Sequence, residues 1–434
     1  MKKEIIHYAR IFTLLIAVFF SYSVLVCLLP TQTIRENIVK SAVDMEKEKT
    51  VYPSAIIRTK ACQMDNFTDG IFLKQNYAIN NKKPVQSAME AGQARIKFAD
   101  LPHYKGTPEE LGSAPYPRYW HGNSFILRPF LLIATYTEIR WILYAVSSLL
   151  MFILAVRLQQ TLGMKRMIAF MAGLLYINIF VTQFSMQFFT VSALALIASI
   201  YVCSQHNDRR KILRMSFIIG CLTSYFDLLT APFLTCGLPL LVYLCSTDNN
   251  GTFKTRLQTL FLFVVLWGAG YGLTWASKWV LGTILTDVNV FESAFNQVNY
   301  HASNKYGSRI LVISQNFDLL PNGFLYTPLI ALLLLAIVFF NKKAIQTNVL
   351  LFIAALSPYV WFLLTAQHSY RHWWFTYRIQ AIAVSAVFLI LVNFISWDKL
   401  TKKNLLAHWR SNISEKSRKI PFYRRYVRAK KTEK

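Results

Sequence analysis

About ten apolar stretches recur along the chain, each close to the roughly 20 residues that cross a bilayer core as helix, and they limit its fold more than any other feature. The first reads "IFTLLIAVFFSYSVLVCLL" over 11–29. The others fall near 138–157, 167–184, 187–204, 213–227, 231–246, 257–277, 324–341, 348–366 and 379–397. "SFILRPFLLIATY" (124–136) and "WVLGTILT" (279–286) are too short to cross and read as re-entrant or interfacial helices. Composition agrees: 54% of residues are hydrophobic, only 16% are charged, and mean hydropathy is +0.34. The expected class is an all-α polytopic integral membrane protein with about ten transmembrane helices. The expected organisation is an N-terminal span (1–29), a large structured first loop with short helices and membrane re-entry (30–136), a multi-span bundle (137–397) and a basic tail (398–434). Lys2, Lys3 and Arg10 precede the first run as in a signal peptide. No small-residue cleavage site follows, so that run is expected to be retained.

A net charge of +26 would suggest nucleic acid in a soluble protein. Here the positive-inside rule and anionic lipid explain it, and no nucleic-acid partner is expected. Basic residues gather at the N-terminus, at Arg157, Lys165 and Arg166, at "HNDRRK" (206–211), at Lys254 and Arg256, at Lys342 and Lys343, and in the tail. These connections are assigned to the cytoplasm, with both termini. The remaining connections then face outward: the loop after the first span, "FSMQ", "YFDLLTAP", the stretch from Asp287 to about Pro321, and "AQHSYRHWW". The six cysteines lie mostly in or beside apolar spans and form no disulfide pattern.

Once sidedness is assigned, the 21 acidic residues become informative. Asp65 and Asp69 in "DNFTDG" stand one helical turn apart, so both carboxylates can share a face, as a divalent-cation pair or as a base and its orienting partner. A capped surface helix is the plainer reading of the same spacing. The segment is no EF-hand, since Phe67 occupies a ligand position and no terminal Glu follows. Arg118, His121 and Arg128 flank "YW" where the chain returns to the membrane. They suit either an interfacial aromatic belt or a phosphate with a sugar ring. Asp227 ends the fifth span and Lys278 sits in "TWASKWV"; capping and snorkelling compete there with phosphate or sugar contact. "HSYRHWWFTYR" adds His368, Arg371, His372 and Arg378. The histidines have zinc-pair spacing without the glutamate of H-E-x-x-H, and Arg371 would repel a cation, so an anion site fits better.

A first span, a long outer loop with acidic residues, re-entry, and further spans with basic outer residues together resemble the GT-C superfamily of membrane glycosyltransferases. "DNFTDG", "YPRYWHG", "TWASKWV" and "WFLLTAQHSYRHWWFTYR" look like an uncharacterised bacterial branch of it, over most of residues 1–397. The resemblance implies a plasma-membrane enzyme of the cell envelope. It would move a sugar from a polyprenyl-phosphate donor to a glycan or lipid-linked acceptor on the extracytoplasmic side. It further implies an acidic base in the first outer loop, matched by Asp65 and Asp69 with Asp44 a rival, and allows a divalent cation (Mg or Mn) at Asp65 and Asp69. Donor phosphate and sugar would fall to Arg118, His121, Asp227, Lys278, His368, His372 and Arg378. A polysaccharide polymerase or ligase, and a lipid-linked-glycan flippase, are the alternatives. The long loop coming first counts against the former, and the lack of mid-membrane charges and repeated halves against the latter.

Overall fold

A computed structural model of the chain describes residues 2–55, 60–246, 251–302, 309–320 and 326–400. The expected basic tail therefore lies, beyond residue 400, outside the described residues. The chain opens with the 26-residue helix α1 (Lys2–Cys27). The next hundred or so residues fold on themselves as α2 (Thr31–Glu46), α3 (Asn66–Ala78), α4 (Pro84–Glu90), α5 (Pro108–Leu111) and α6 (Gly122–Phe130). A two-residue antiparallel pairing, Gln93–Ala94 with Ser113–Ala114, ties this segment internally. The bundle follows: α7 (Tyr136–Leu162), α8 (Met164–Tyr176), α9 (Met186–Gln205), α10 (Arg209–Phe226), α11 (Leu234–Ser246) and α12 (Phe253–Leu285). The chain continues through α13 (Val290–Ala302), α14 (Arg309–Phe317), α15 (Tyr326–Val338), α16 (Ile345–Ala355) and α17 (Ser357–Leu364). It then breaks into the short helices α18 (Ala366–Arg371) and α19 (Trp373–Thr376) before α20 (Ala381–Phe394).

Six helical stretches among the described residues are long and apolar enough to cross a membrane: Lys3–Cys27, Tyr136–Leu162, Met186–Gln205, Phe253–Leu285, Lys342–Leu364 and Trp373–Phe394. This is the make-up of an all-α membrane protein. Two further apolar helices, Leu234–Ser246 and Tyr326–Val338, are shorter. "WVLGTILT" is no separate interfacial piece, because it continues the 33-residue α12. "SFILRPF" is a short helix, α6, with Pro129 near its end. Apolar side chains point outward from the long helices; Leu14, Trp141 and Phe152 are each about two-thirds exposed at 66%, 66% and 67%. Water would not tolerate such faces at that density, and lipid favours them.

Inside the bundle, glycines set the closest approach. A Cβ built at Gly220 of α10 would strike the Trp267 carbonyl, and one at Gly270 of α12 would strike the Phe217 carbonyl. The two helices can touch backbone to backbone only because these side chains are missing. The segment before α7 packs on one end of this bundle through buried polar ties. Trp120 Nε1 donates to the Thr274 carbonyl of α12 at 2.7 Å. Arg128, fully buried, donates to Val26 and Leu29 at the end of α1 and to Asn76 of α3. A cation on the free carbonyls of a helix C-terminus is matched to the helix dipole. The opposite end collects the basic connections: Arg166 donates to Asn393 and to the Cys245 carbonyl, Arg256 to Thr347 and the Leu244 carbonyl, and Arg209 to Thr259.

Candidate functional site

Helix α3 begins at Asp65, whose Oδ1 accepts the Thr68 N–H at 3.0 Å while Oδ2 accepts the Thr68 hydroxyl at 2.6 Å. That is an N-cap with both oxygens used. One turn on, Asp69 is fully buried and reaches the start of α9. Its Oδ2 accepts from Ser185 Oγ at 2.7 Å and its Oδ1 from the Gln187 N–H at 3.3 Å. The carboxylate therefore sits at the positive end of a helix it does not belong to. Arg140 of α7 approaches Asp69 Oδ2 at 4.0 Å, donates to Glu48 at 2.6 Å and donates to Asn66 Oδ1. Asn66 closes the ring by donating to the second oxygen of Glu48. Burial pushes Asp65 up to about 7, against its bonds to Thr68, with the Asp69 charge adding to the rise. Burial also pushes Asp69 up to about 6, opposed by Arg140 and by hydrogen bonds from Tyr136 and Ser185.

Arg378 arrives from the other end of the sequence. It is 1% exposed, donates weakly to the carbonyls of Ala61 and Gln63 just ahead of Asp65 (3.3 and 3.4 Å), and lies over the Phe188 ring at 4.3 Å. Its Nε–H has no partner among the described residues. The Arg378 charge acts on Asp65. Asp65, Asp69 and Arg378 thus form one buried group, with Arg140 and Glu48 at its edge.

Asp227 caps the end of α10, is 2% exposed, and accepts the Thr230 N–H at 3.0 Å; burial pushes it up to about 7. Leu229 in its turn has φ +65°, a strained value for a leucine, and its carbonyl accepts from His368 Nε2 at 2.8 Å. The rings of His368, His372 and Phe375 follow one another at 4.8 and 5.1 Å, and Phe375 meets Phe188 under Arg378. "HSYRHWWFTYR" therefore bridges the Asp227 turn and the Asp65 group. His372 is pushed down to about 4 by burial and by Arg371. His121 is fully enclosed: its Nδ1 accepts from Gln75 Nε2 and its Nε2 donates to the Tyr116 carbonyl, and burial pushes it down to about 3. It is a neutral imidazole. Arg118 donates to Ser293 and lies over Tyr116. Lys278 spends its ammonium on the carbonyls of Ala88 and Met89 at the end of α4, at 3.1 and 2.9 Å. Asp44 is partly exposed and is held by Lys47 at 2.7 Å and Thr137 at 3.2 Å.

Arg140, Ser185 and the pairing role of Glu48 join the site only through the fold. An arginine in the second turn of an apolar helix, "YTEIRWILY", was the signal available for the first. Among the described residues no group of three or more His, Cys, Asp or Glu side chains is placed to hold a metal ion. Asp65 and Asp69 already accept from protein donors, and Arg140 adds a positive charge beside Asp69. That donor set does not fit a divalent cation. No family model, no curated protein and no solved structure matches this chain.

Proposed function

We propose that the chain is a membrane glycosyltransferase of GT-C type, transferring a sugar from a polyprenyl-phosphate donor to a glycan or lipid-linked acceptor. The observation that supports this best is the buried group of two carboxylates with Arg378, whose Nε–H lacks a partner, gathered from residues more than three hundred positions apart. Such transfer needs a carboxylate to take the acceptor hydroxyl's proton as that oxygen attacks the anomeric carbon. It also needs a fixed cation to receive the charge that grows on the departing phosphate. Asp69 is the proposed base, Asp65 shapes its electrostatics, and Arg378 meets the phosphate. His121 stays neutral and Lys278 is committed to α4, so positioning the surrounding loop is the role proposed for both. The group is closed to solvent, so turnover requires the segment ahead of Asp65 to move away from Arg378. By the positive-inside rule, the end of the bundle bearing this group faces away from the cytoplasm, in a bacterial plasma membrane.

The test uses purified protein with a labelled sugar on polyprenyl phosphate. Asp69→Asn and Arg378→Ala are each expected to insert normally and to lower transfer by about 10²–10⁴-fold. Wild-type rates in both variants would refute the site assignment. Inactivity of the wild type toward every polyprenyl-phosphate sugar would refute the function.

A further inference from the structure

A second feature lies beside the buried group and is not used by it. A cleft of about 1010 Å³ opens between the end of α2, α3 and the stretch from Gln93 to Ala99. Met45, Phe67, Ile71, Ile96 and Phe98 give it apolar walls. Phe67 is 56% exposed and presents an apolar face at the mouth of the cleft. Four cations line the same cleft: Lys49, Lys74, Arg95 and Lys97. Glu46 is the one carboxylate among its described lining residues. No hydrogen bond or ion pair engages any of these four cationic head groups among the described residues. Burial alone pushes the Lys74 ammonium down, which marks a half-buried charge without a counterion.

The cleft's level in the molecule is set by the first turns of the membrane-crossing helix α7. Thr137 of α7 donates to Asp44, and Arg140 pairs with Glu48 and Asn66, residues on or next to the cleft wall. The opening therefore lies beside the first turns of α7, where a spanning helix would pass from the apolar core to the lipid headgroups. An apolar trough with uncompensated cations at that height complements a molecule with a hydrocarbon chain and an anionic head.

We propose that this cleft binds an anionic phospholipid of the adjoining leaflet, its acyl chain along Phe67, Ile71 and Phe98 and its phosphate among Lys74, Arg95 and Lys97. The site stands whether or not the chain transfers sugar, because it is read by binding. The experiment presents purified full-length protein with photoactivatable phosphatidylglycerol and, separately, with phosphatidylcholine carrying the same chains. The cross-linked peptides are then mapped. Phosphatidylglycerol is expected to label the peptides covering 45–51 and 93–99, and phosphatidylcholine to label them roughly tenfold less. R95A/K97A is expected to lower phosphatidylglycerol labelling by about tenfold. Ala99→Trp, which fills the cleft from an exposed position and leaves the charges in place, should abolish it. Equal labelling by the two lipids, or labelling unchanged in both variants, would overturn the proposal. So would inorganic phosphate that displaces the lipid completely at millimolar concentration, since it would show a site for a free anion.

Discussion

Asp69 shows how a single carboxylate is tuned here. Its protonated form is favoured by burial and its ionised form by Arg140, Ser185 and the N-terminus of α9, and burial prevails, holding it at about 6 against an ordinary value near 4. Asp65 is held at about 7 for the same dominant reason. The sign for stability follows from proton counting. Between pH 4 and pH 7 the unfolded chain has released these protons while the folded chain keeps them. Stability contributed by this region is therefore full at low pH and declines as pH rises across that window. Thermal unfolding in detergent should show this decline, and Asp65→Asn should flatten it. Catalysis runs the other way, because a base must be deprotonated: the rate of sugar transfer is expected to climb with pH through about 6 and then level off. A pH–rate profile without that rise would remove Asp69 from the role of base. The i, i+4 spacing of the two aspartates is legible in the sequence, but Asp65 caps α3 while Asp69 reaches the start of α9. Their burial is not legible there, because it depends on α9 and Arg140 arriving from elsewhere.

Among the elements, α10 packs closely on α12, where Gly220 and Gly270 let backbones meet. Gly220→Leu must push the helices apart, since the atom it would strike is a carbonyl oxygen and not a yielding side chain. A loss of about 1–3 kcal/mol is expected, read as a lower unfolding temperature in detergent, with exposed Gly268→Leu as the control that changes little. Apolar runs mark where both helices lie, since lipid imposes apolarity locally, but α10 is not among the helices long and apolar enough to cross and α12 extends well beyond its run at 257–277. "WVLGTILT", too short to cross by itself, is the end of α12 and follows the buried Lys278 within the same helix. A buried lysine can sit inside a helix when another element's C-terminal carbonyls receive it, as those of α4 do. That partner lies 190 residues away in sequence and could not be inferred from the run itself.

Across the whole molecule, charge is divided between the two ends of the bundle. Arg166, Arg209 and Arg256 meet at one end, and the folded segment between α1 and α7 covers the other. If the positive-inside rule governs insertion, a cysteine at Lys97 will react with a membrane-impermeant maleimide in intact cells, and one at Lys211 only after lysis. The six native cysteines are all buried, so their background is low. The reverse pattern would place the carboxylate group on the cytoplasmic side and exclude the proposed donor geometry.

The sequence alone determined that this chain is built from apolar helices, because solvation by lipid acts on each segment separately and leaves its mark on composition. It also presented the residues that carry charge near helix ends. Which of them meet is set by packing between distant segments. Arg140 reaches Asp69 and Arg378 packs against the carbonyls just ahead of Asp65, while His121 and Lys278 turn to backbone carbonyls. Whether a charge serves a neighbour or is left for a ligand depends on packing between distant segments, and local sequence does not encode that distance.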